Sequence, residues 1–112
     1  MVAQYTPEQG DILFMDFDPQ TGHEQKGRRP ALVVSNYSYN KHTNFVMVCP
    51  ITNQNKGHLF HIALDDRTVT TGMVLSDQVR ALDLSKRRSV FKEKAPSDLV
   101  DRVVALIASF MN

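Results

Sequence analysis

GDILFMDFDPQTGHEQKGRRPALVV, residues 10–34, decides how this chain folds. Its first apolar run alternates, with Leu13, Met15 and Phe17 on one face and Ile12, Phe14 and Asp16 on the other. That two-residue period belongs to a strand. Asp18 and Pro19 end the run. Residues 31–34 are continuously apolar, as expected of a strand covered on both faces. Between the runs lies a polar segment carrying Glu24, Lys26, Arg28 and Arg29, bracketed by Gly22 and Gly27, which reach positive φ without steric cost. Pro30 fixes its own φ and pushes Arg29 towards an extended conformation. An acid and an arginine thus share a loop held by two strands, a common place for chemistry.

Working outward, residues 1–9 read as an extended arm ending at Pro7. Ser35 is predicted to cap a short helix reaching about Asn40, before strand character resumes at 45–49. Residues 50–57 are polar and turn-rich, after which Phe60, Ile62 and Leu64 alternate with Leu59, His61 and Ala63. Residues 65–71 connect to Gly72, and short strands at 73–75 and 79–84 flank Ser76, Asp77 and Gln78. Val90 and Phe91 suggest a last edge strand. Short strands at close spacing imply a mainly β protein, a small antiparallel barrel or half-barrel. A C-terminal helix starts at Ser97 with Asp98 in its first turn, and Leu99, Val103, Leu106, Ile107 and Phe110 form its apolar stripe. Val100, Val104 and Met111 widen that stripe, which is expected to bury its surplus against a partner such as a second copy.

The 112 residues suit a single domain, 1–112, with one modest core. No apolar run reaches membrane-spanning length, and MVAQYTPEQ lacks a signal-peptide pattern. Cys49, the only cysteine, lies inside an apolar run and reads as core. The cytoplasm is the expected compartment. Net charge is only +1, but Lys26, Arg28 and Arg29 cluster, as do Lys86, Arg87, Arg88, Lys92 and Lys94. Folding either joins these groups into a positive groove or leaves two separate solvated surfaces.

The order G-D-I, D-F-D-P and G-H-E-Q-K-G-R-R-P-A-L-V-V, followed by PITNQNKG at 50–57 and S-D-Q-V-R at 76–80, resembles the MazF/PemK family of toxin endoribonucleases. The likeness runs from about Gly10 to the C-terminal helix. It implies an SH3-like, PemK-like antiparallel barrel with a C-terminal helix. It also implies a homodimeric RNase, active without metal or other cofactor, that cuts single-stranded RNA at short sequences. The implied reaction is attack of a ribose 2′-hydroxyl on the adjacent phosphate, and the implied inhibitor is an acidic, MazE-like antitoxin tail.

Each candidate residue has a plainer alternative. Arg29 can hold two phosphate oxygens in its planar fork, or pin the loop to Asp16 or Asp18. Glu24 can take a ribose proton, or be a solvated loop glutamate. The hydroxyl of Thr52 can bond a phosphate oxygen, or Thr52 can simply close a strand. The family setting favours the functional reading of all three. It adds His23, Gln25, Lys26, Arg28, Asn53, Gln54, Lys56, Asp77, Gln78 and Arg80 as RNA contacts. Asp77 and Gln78 have side chains that read base edges but also suit turns, and His23 can assist proton transfer or be solvated. His58 and His61, three apart in a strand pattern, point to opposite faces and make a poor metal pair.

Two rivals remain at this point. CcdB-like gyrase-poisoning toxins share the implied fold but act through a C-terminal tryptophan, and this chain has none. A non-catalytic nucleic-acid-binding barrel would keep the basic loop and not need Glu24. Phe14 departs from relatives that carry tryptophan there, a change expected to affect packing.

Overall fold

The computed structural model describes residues 5–17, 28–54 and 60–112, and in them the alternating runs become strands. In chain order these are β1 (Asp11–Asp16), β2 (Arg28–Val33), β3 (Phe45–Thr52), β4 (His61–Ala63), β5 (Met73–Leu75), β6 (Arg80–Asp83) and β7 (Ser89–Lys94). Helix α1 (Tyr37–Thr43) joins β2 to β3, and α2 (Ser97–Ser109) follows β7. The seven strands form one antiparallel sheet in the order β4-β5-β3-β2-β1-β7, with β6 added on β3.

Strand β3 has two neighbours on one flank. Phe45 to Val48 pair with β6, and Ile51 and Thr52 pair with β5. Cys49 and Pro50 fall in the gap, so the missing N–H of Pro50 costs neither neighbour a donor. On the other flank Ala31, Leu32 and Val33 of β2 pair with Pro50, Cys49 and Val48.

The sheet buries both faces. On one, Ile12, Leu32, Cys49, Ile51, Ile62 and Val74 lie under Leu99, Val100 and Val103 of α2. On the other, Leu13, Met15 and Phe17 meet Ala31, Val33, Val46, Val48 and Leu82. Residues of β1 and β6 share that second cluster although β2 and β3 separate them in the sheet. The sheet therefore curls over its own side chains, as a half-barrel does. Among the described residues no ladder joins its ends into a closed barrel.

Three local expectations change. Asn36, not Ser35, caps α1, accepting from Tyr39 N at 2.9 Å. Ser35 is instead buried, taking Met47 N at 2.9 Å and donating to the side chain of Asn40. Buried Asn40 in turn donates to the carbonyls of Pro7 and Ser35, which ties the N-terminal arm to α1 and satisfies every polar group in the joint. Second, β2 starts at Arg28 rather than at Ala31, so the two arginines belong to the strand. Third, Val100 belongs to the core, which leaves less spare apolar surface on α2 than its sequence suggests. What remains is at its end, where Met111 is 78% exposed and Phe110 packs edge-to-face on Phe60, centroids 5.0 Å apart.

Candidate active site

Because β2 begins at Arg28, its alternation sends neighbouring arginines to opposite faces. Arg28 pairs with Asp16 across the β1–β2 ladder, and Arg29 pairs with Met15. The Arg28 Nε lies 3.3 Å from Asp16 Oδ1, and its guanidinium sits 4.9 Å from the centroid of the Phe14 ring. Arg88 reaches the other Asp16 oxygen at 3.6 Å. Arg28, expected to contact RNA, is thus the arginine that binds Asp16. Arg29 is exposed, and among the described residues no hydrogen bond or ion pair engages it.

Thr52 ends β3 on the same face as Arg29. The β2–β3 register has Ala31 opposite Pro50, so continued by two residues it sets Arg29 opposite Thr52. The Thr52 hydroxyl oxygen accepts from Gln54 N at 3.1 Å, and its proton stays available to a ligand oxygen. Arg80 also projects on this face, since it pairs with Val48 in the β3–β6 ladder. Its guanidinium lies 5.4 Å from the centroid of the Phe17 ring. One face at the open ends of β2 and β3 therefore gathers Arg29, Thr52 and Arg80. Arginine remains charged at any working pH, so this face attracts a polyanion.

The turn after β5 holds two more of the expected residues. Gln78 N donates to Leu75 O at 3.0 Å, and Asp77 Oδ1 lies 3.6 Å from the buried His61 Nε2. Asn53 is exposed, and its side-chain oxygen accepts from Thr71 Oγ1 at 3.0 Å. Gln54 is exposed. Glu24, His23, Gln25, Lys26 and Lys56 lie outside the described residues, as do Asp18, Gly22, Gly27 and His58.

The basic stretch 86–94 contributes less than its charge suggests. Lys94 Nζ lies 2.7 Å from Asp11 Oδ1 and 3.0 Å from Glu8 Oε1. Burial alone would lower its pKa, but these carboxylates outweigh that and raise it. Lys92 lies 5.7 Å from the Phe14 centroid, on the opposite face of the strands from Arg29.

Sequence reading took residues 65–71 only as a connection; the loop packs beside the Thr52 backbone and borders the face of the strands opposite Arg29, with Phe14 and Pro30. Arg67 binds Asp65 and reaches Asp98 of α2 at 2.8 and 3.0 Å. Glu93 of β7 accepts from Val69 N at 3.1 Å and from Thr70 N and Oγ1 at 2.7 Å. Burial would raise the Glu93 pKa, but the Thr70 and Val69 bonds hold it below the usual glutamate value. Gly72 closes the loop at φ 121°, where a Cβ would stand 2.5 Å from Thr52 O. Only glycine permits that approach. The run T-V-T-T-G at 68–72 was the available signal, a polar turn ending on a lone glycine beside Thr52.

Cys49 is no nucleophile here, since burial first, then Asp77, pushes its thiol up to about 12. Among the described residues no three His, Cys, Asp or Glu side chains are placed to hold a metal ion. No helix is long and apolar enough to cross a membrane.

Residues 8–111 match the model of the PemK-like, MazF-like toxins of type II toxin–antitoxin systems. The chain belongs to this family. It is 39% identical over 100 residues to the endoribonuclease toxin MazF of Escherichia coli K12, covering 88% of this chain and 89% of that one. Among solved structures, MazF from Deinococcus radiodurans superposes with a TM-score of 0.85 at 39% identity, covering 96% of this chain and 98% of the other. A MazE–MazF structure from the same organism gives 0.83 at 33% identity, covering 97% and 98%.

Proposed function

We propose that this chain is an endoribonuclease toxin that cuts single-stranded RNA at short sequences without a metal cofactor, the whole chain acting as one domain. The placement of Arg29 and Thr52 on one face, at strand ends bounding the 18–27 segment that carries Glu24, carries the reading.

Transesterification by RNA's own 2′-hydroxyl needs three things. A base must take the 2′ proton, a fixed positive charge must meet the charge building on the phosphoryl oxygens, and a proton must reach the departing 5′ oxygen. Glu24 takes the proton as the 2′ oxygen attacks phosphorus. The Arg29 guanidinium binds two phosphoryl oxygens, and the Thr52 hydroxyl donates a hydrogen bond to one of them. The P–O5′ bond breaks, leaving a 2′,3′-cyclic phosphate and a 5′-hydroxyl. Arginine is a poor acid at its normal pKa, so Arg29 stabilises charge first, and it or a water protonates the 5′ oxygen. His23, Gln25, Lys26, Asn53, Gln54, Lys56, Asp77, Gln78 and Arg80 hold the strand and its bases. Arg28, placed against Asp16, orients the loop that carries Glu24.

The protein acts in the cytoplasm as a homodimer of about twice 12.7 kDa, and the open end of α2 with Phe110 and Met111 supplies apolar surface for the contact. An acidic antitoxin tail occupies the RNA face and blocks it, with an on-rate that falls as salt rises.

The test is cleavage of a defined single-stranded RNA in excess EDTA, with sequencing of the 5′-hydroxyl ends. Cyclic phosphate products, and no cutting where a deoxyribose precedes the scissile phosphate, are expected. Cleavage that chelator abolishes and Mg²⁺ restores would refute the mechanism.

A further inference from the structure

A second concavity opens one residue along the strands from Arg29 and Thr52. Pro30 and Asn53 border it, with Phe14 on one wall, Thr70 and Thr71 on the other, and Lys92 at its rim, around a volume of about 250 Å³. It lies on the opposite face of the strands from Arg29, because Phe14 and Pro30 pair with each other and share the face of Ile12 and Leu32.

Three features make this a prepared surface. The far wall is held by the Glu93 bonds to Val69 and Thr70 and by Arg67 on Asp98. The lysine is the extra residue of a β-bulge, since Ile12 pairs with Glu93 and Leu13 with Phe91, so Lys92 has no partner in β1. Bulges re-aim side chains beside functional sites. Finally, the Asn53 side chain is held in place by Thr71. The Thr71 hydroxyl donates to Asn53 Oδ1 at 3.0 Å, an arrangement that turns the Asn53 NH2 outward as a donor.

We infer that this cleft is a nucleobase subsite for the RNA strand flanking the cut, in which Asn53, oriented by Thr71, reads a base carbonyl and Lys92 holds the adjoining phosphate. The inference rests on the endoribonuclease reading and adds to it where one base of the cut sequence is chosen. An extruded base fits between the apolar wall of Phe14 and Pro30 and the polar wall of the loop, the usual way single-stranded RNA is read. An NH2 donor favours the O4 of uracil over the amino group of cytosine, and the O6 of guanine over the amino group of adenine.

The experiment compares cut-site sequences from a random single-stranded RNA pool for the wild type, Asn53→Asp, Thr71→Val, Thr71→Ser and Lys92→Ala, each checked by thermal melting. In the wild type one flanking position favours uracil over cytosine, or guanine over adenine. Asn53→Asp, which exchanges a donor for an acceptor, inverts that preference. Thr71→Val removes the bond that positions the Asn53 side chain and cuts discrimination by about tenfold, the weight of one base-edge contact, while Thr71→Ser keeps it. Lys92→Ala weakens binding of all sequences alike and lowers the salt slope by about one. Wild type and variants cutting one unchanged motif would overturn the subsite and leave the endoribonuclease standing. Substitutions that weaken only binding of an acidic antitoxin peptide would also overturn it, assigning the cleft to a protein partner. A wild type that cuts no single-stranded RNA would remove the endoribonuclease reading and the subsite together.

Discussion

The two ends of β1 treat charge in opposite ways. At the Asp11 end every charge is answered. Asp11 is buried, and its carboxylate takes Lys94, the Tyr5 hydroxyl and Glu8 N. Burial and then the Asp11 carboxylate raise the Tyr5 pKa, keeping the hydroxyl a donor. At the Asp16 end one carboxylate faces both Arg28 and Arg88, while Arg29 and Arg80 have no acid among the described residues. One end is saturated and structural. Among the described residues, the other carries more positive than negative charge. A net charge of +1 conceals this, because the neutralised lysines and the surplus arginines count alike in the sum.

Arg29→Ala tests the open end hardest. Cleavage should fall by about a hundredfold or more, the worth of one charge-stabilising donor, while stability stays within about 0.5 kcal/mol, as for an exposed residue without partners. Rates come from a fluorogenic RNA and stability from urea melts. A large stability loss would mean that Arg29 belongs to the structural class after all.

Asp11→Ala tests the saturated end. It strips the Tyr5 hydroxyl and Glu8 N of their acceptor and leaves Lys94 with Glu8 alone, and should cost about 2–3 kcal/mol while the folded fraction cleaves at the wild-type rate. A drop in rate per folded molecule would erase the division between the ends.

Gly72→Ala sharpens the boundary between them. The new Cβ would strike the Thr52 carbonyl, and the residue would be strained at its φ of 121°. About 1–2 kcal/mol of stability should be lost, with roughly a tenfold loss of rate because Thr52 is displaced. Wild-type kinetics in a destabilised variant would show that the loop supports the fold alone.

The smallest effect concerns pH. The folded-state pKa of Glu93 lies below its ordinary 4.5, so its stabilisation is complete above about pH 5 and fades as pH falls through the folded value. Glu93→Gln should flatten the decline in melting temperature between about pH 5 and pH 3. An unchanged acid limb would mean that the Thr70 and Val69 bonds do not discriminate between the charged and neutral acid.

Much of the fold was legible because its signals are local. Alternation marked β1 and β4, the unbroken run at 31–34 marked a doubly covered strand, and three- and four-residue spacing marked α2. The start of β2 was not legible, since Arg28 and Arg29 give no apolar pattern. Counting alternation back from Ala31 would have put them on opposite faces. Ser35 and Asn36 are both good caps, and the choice fell to tertiary structure, because Ser35 was needed by Met47 and Asn40. For the site, motif order pointed to Arg29 and Thr52, and strand register then set them on one face. The 65–72 loop stayed invisible because its anchors, Asp98 and Glu93, lie more than twenty residues away in sequence.

The pairing of β1 with β7 also has a bearing on timing. Asp11 pairs with Lys94, so the first strand synthesised waits for the last before that side of the sheet can form. Contacts so distant along a chain are slow to make, because the entropy of closing the loop is lost before any pairing repays it. Glu93, which anchors the loop beside Thr52, arrives with the same strand. During synthesis the arginine-bearing segment therefore emerges long before its surroundings can be assembled, and the 65–72 loop gains its anchor only once β7 has been made.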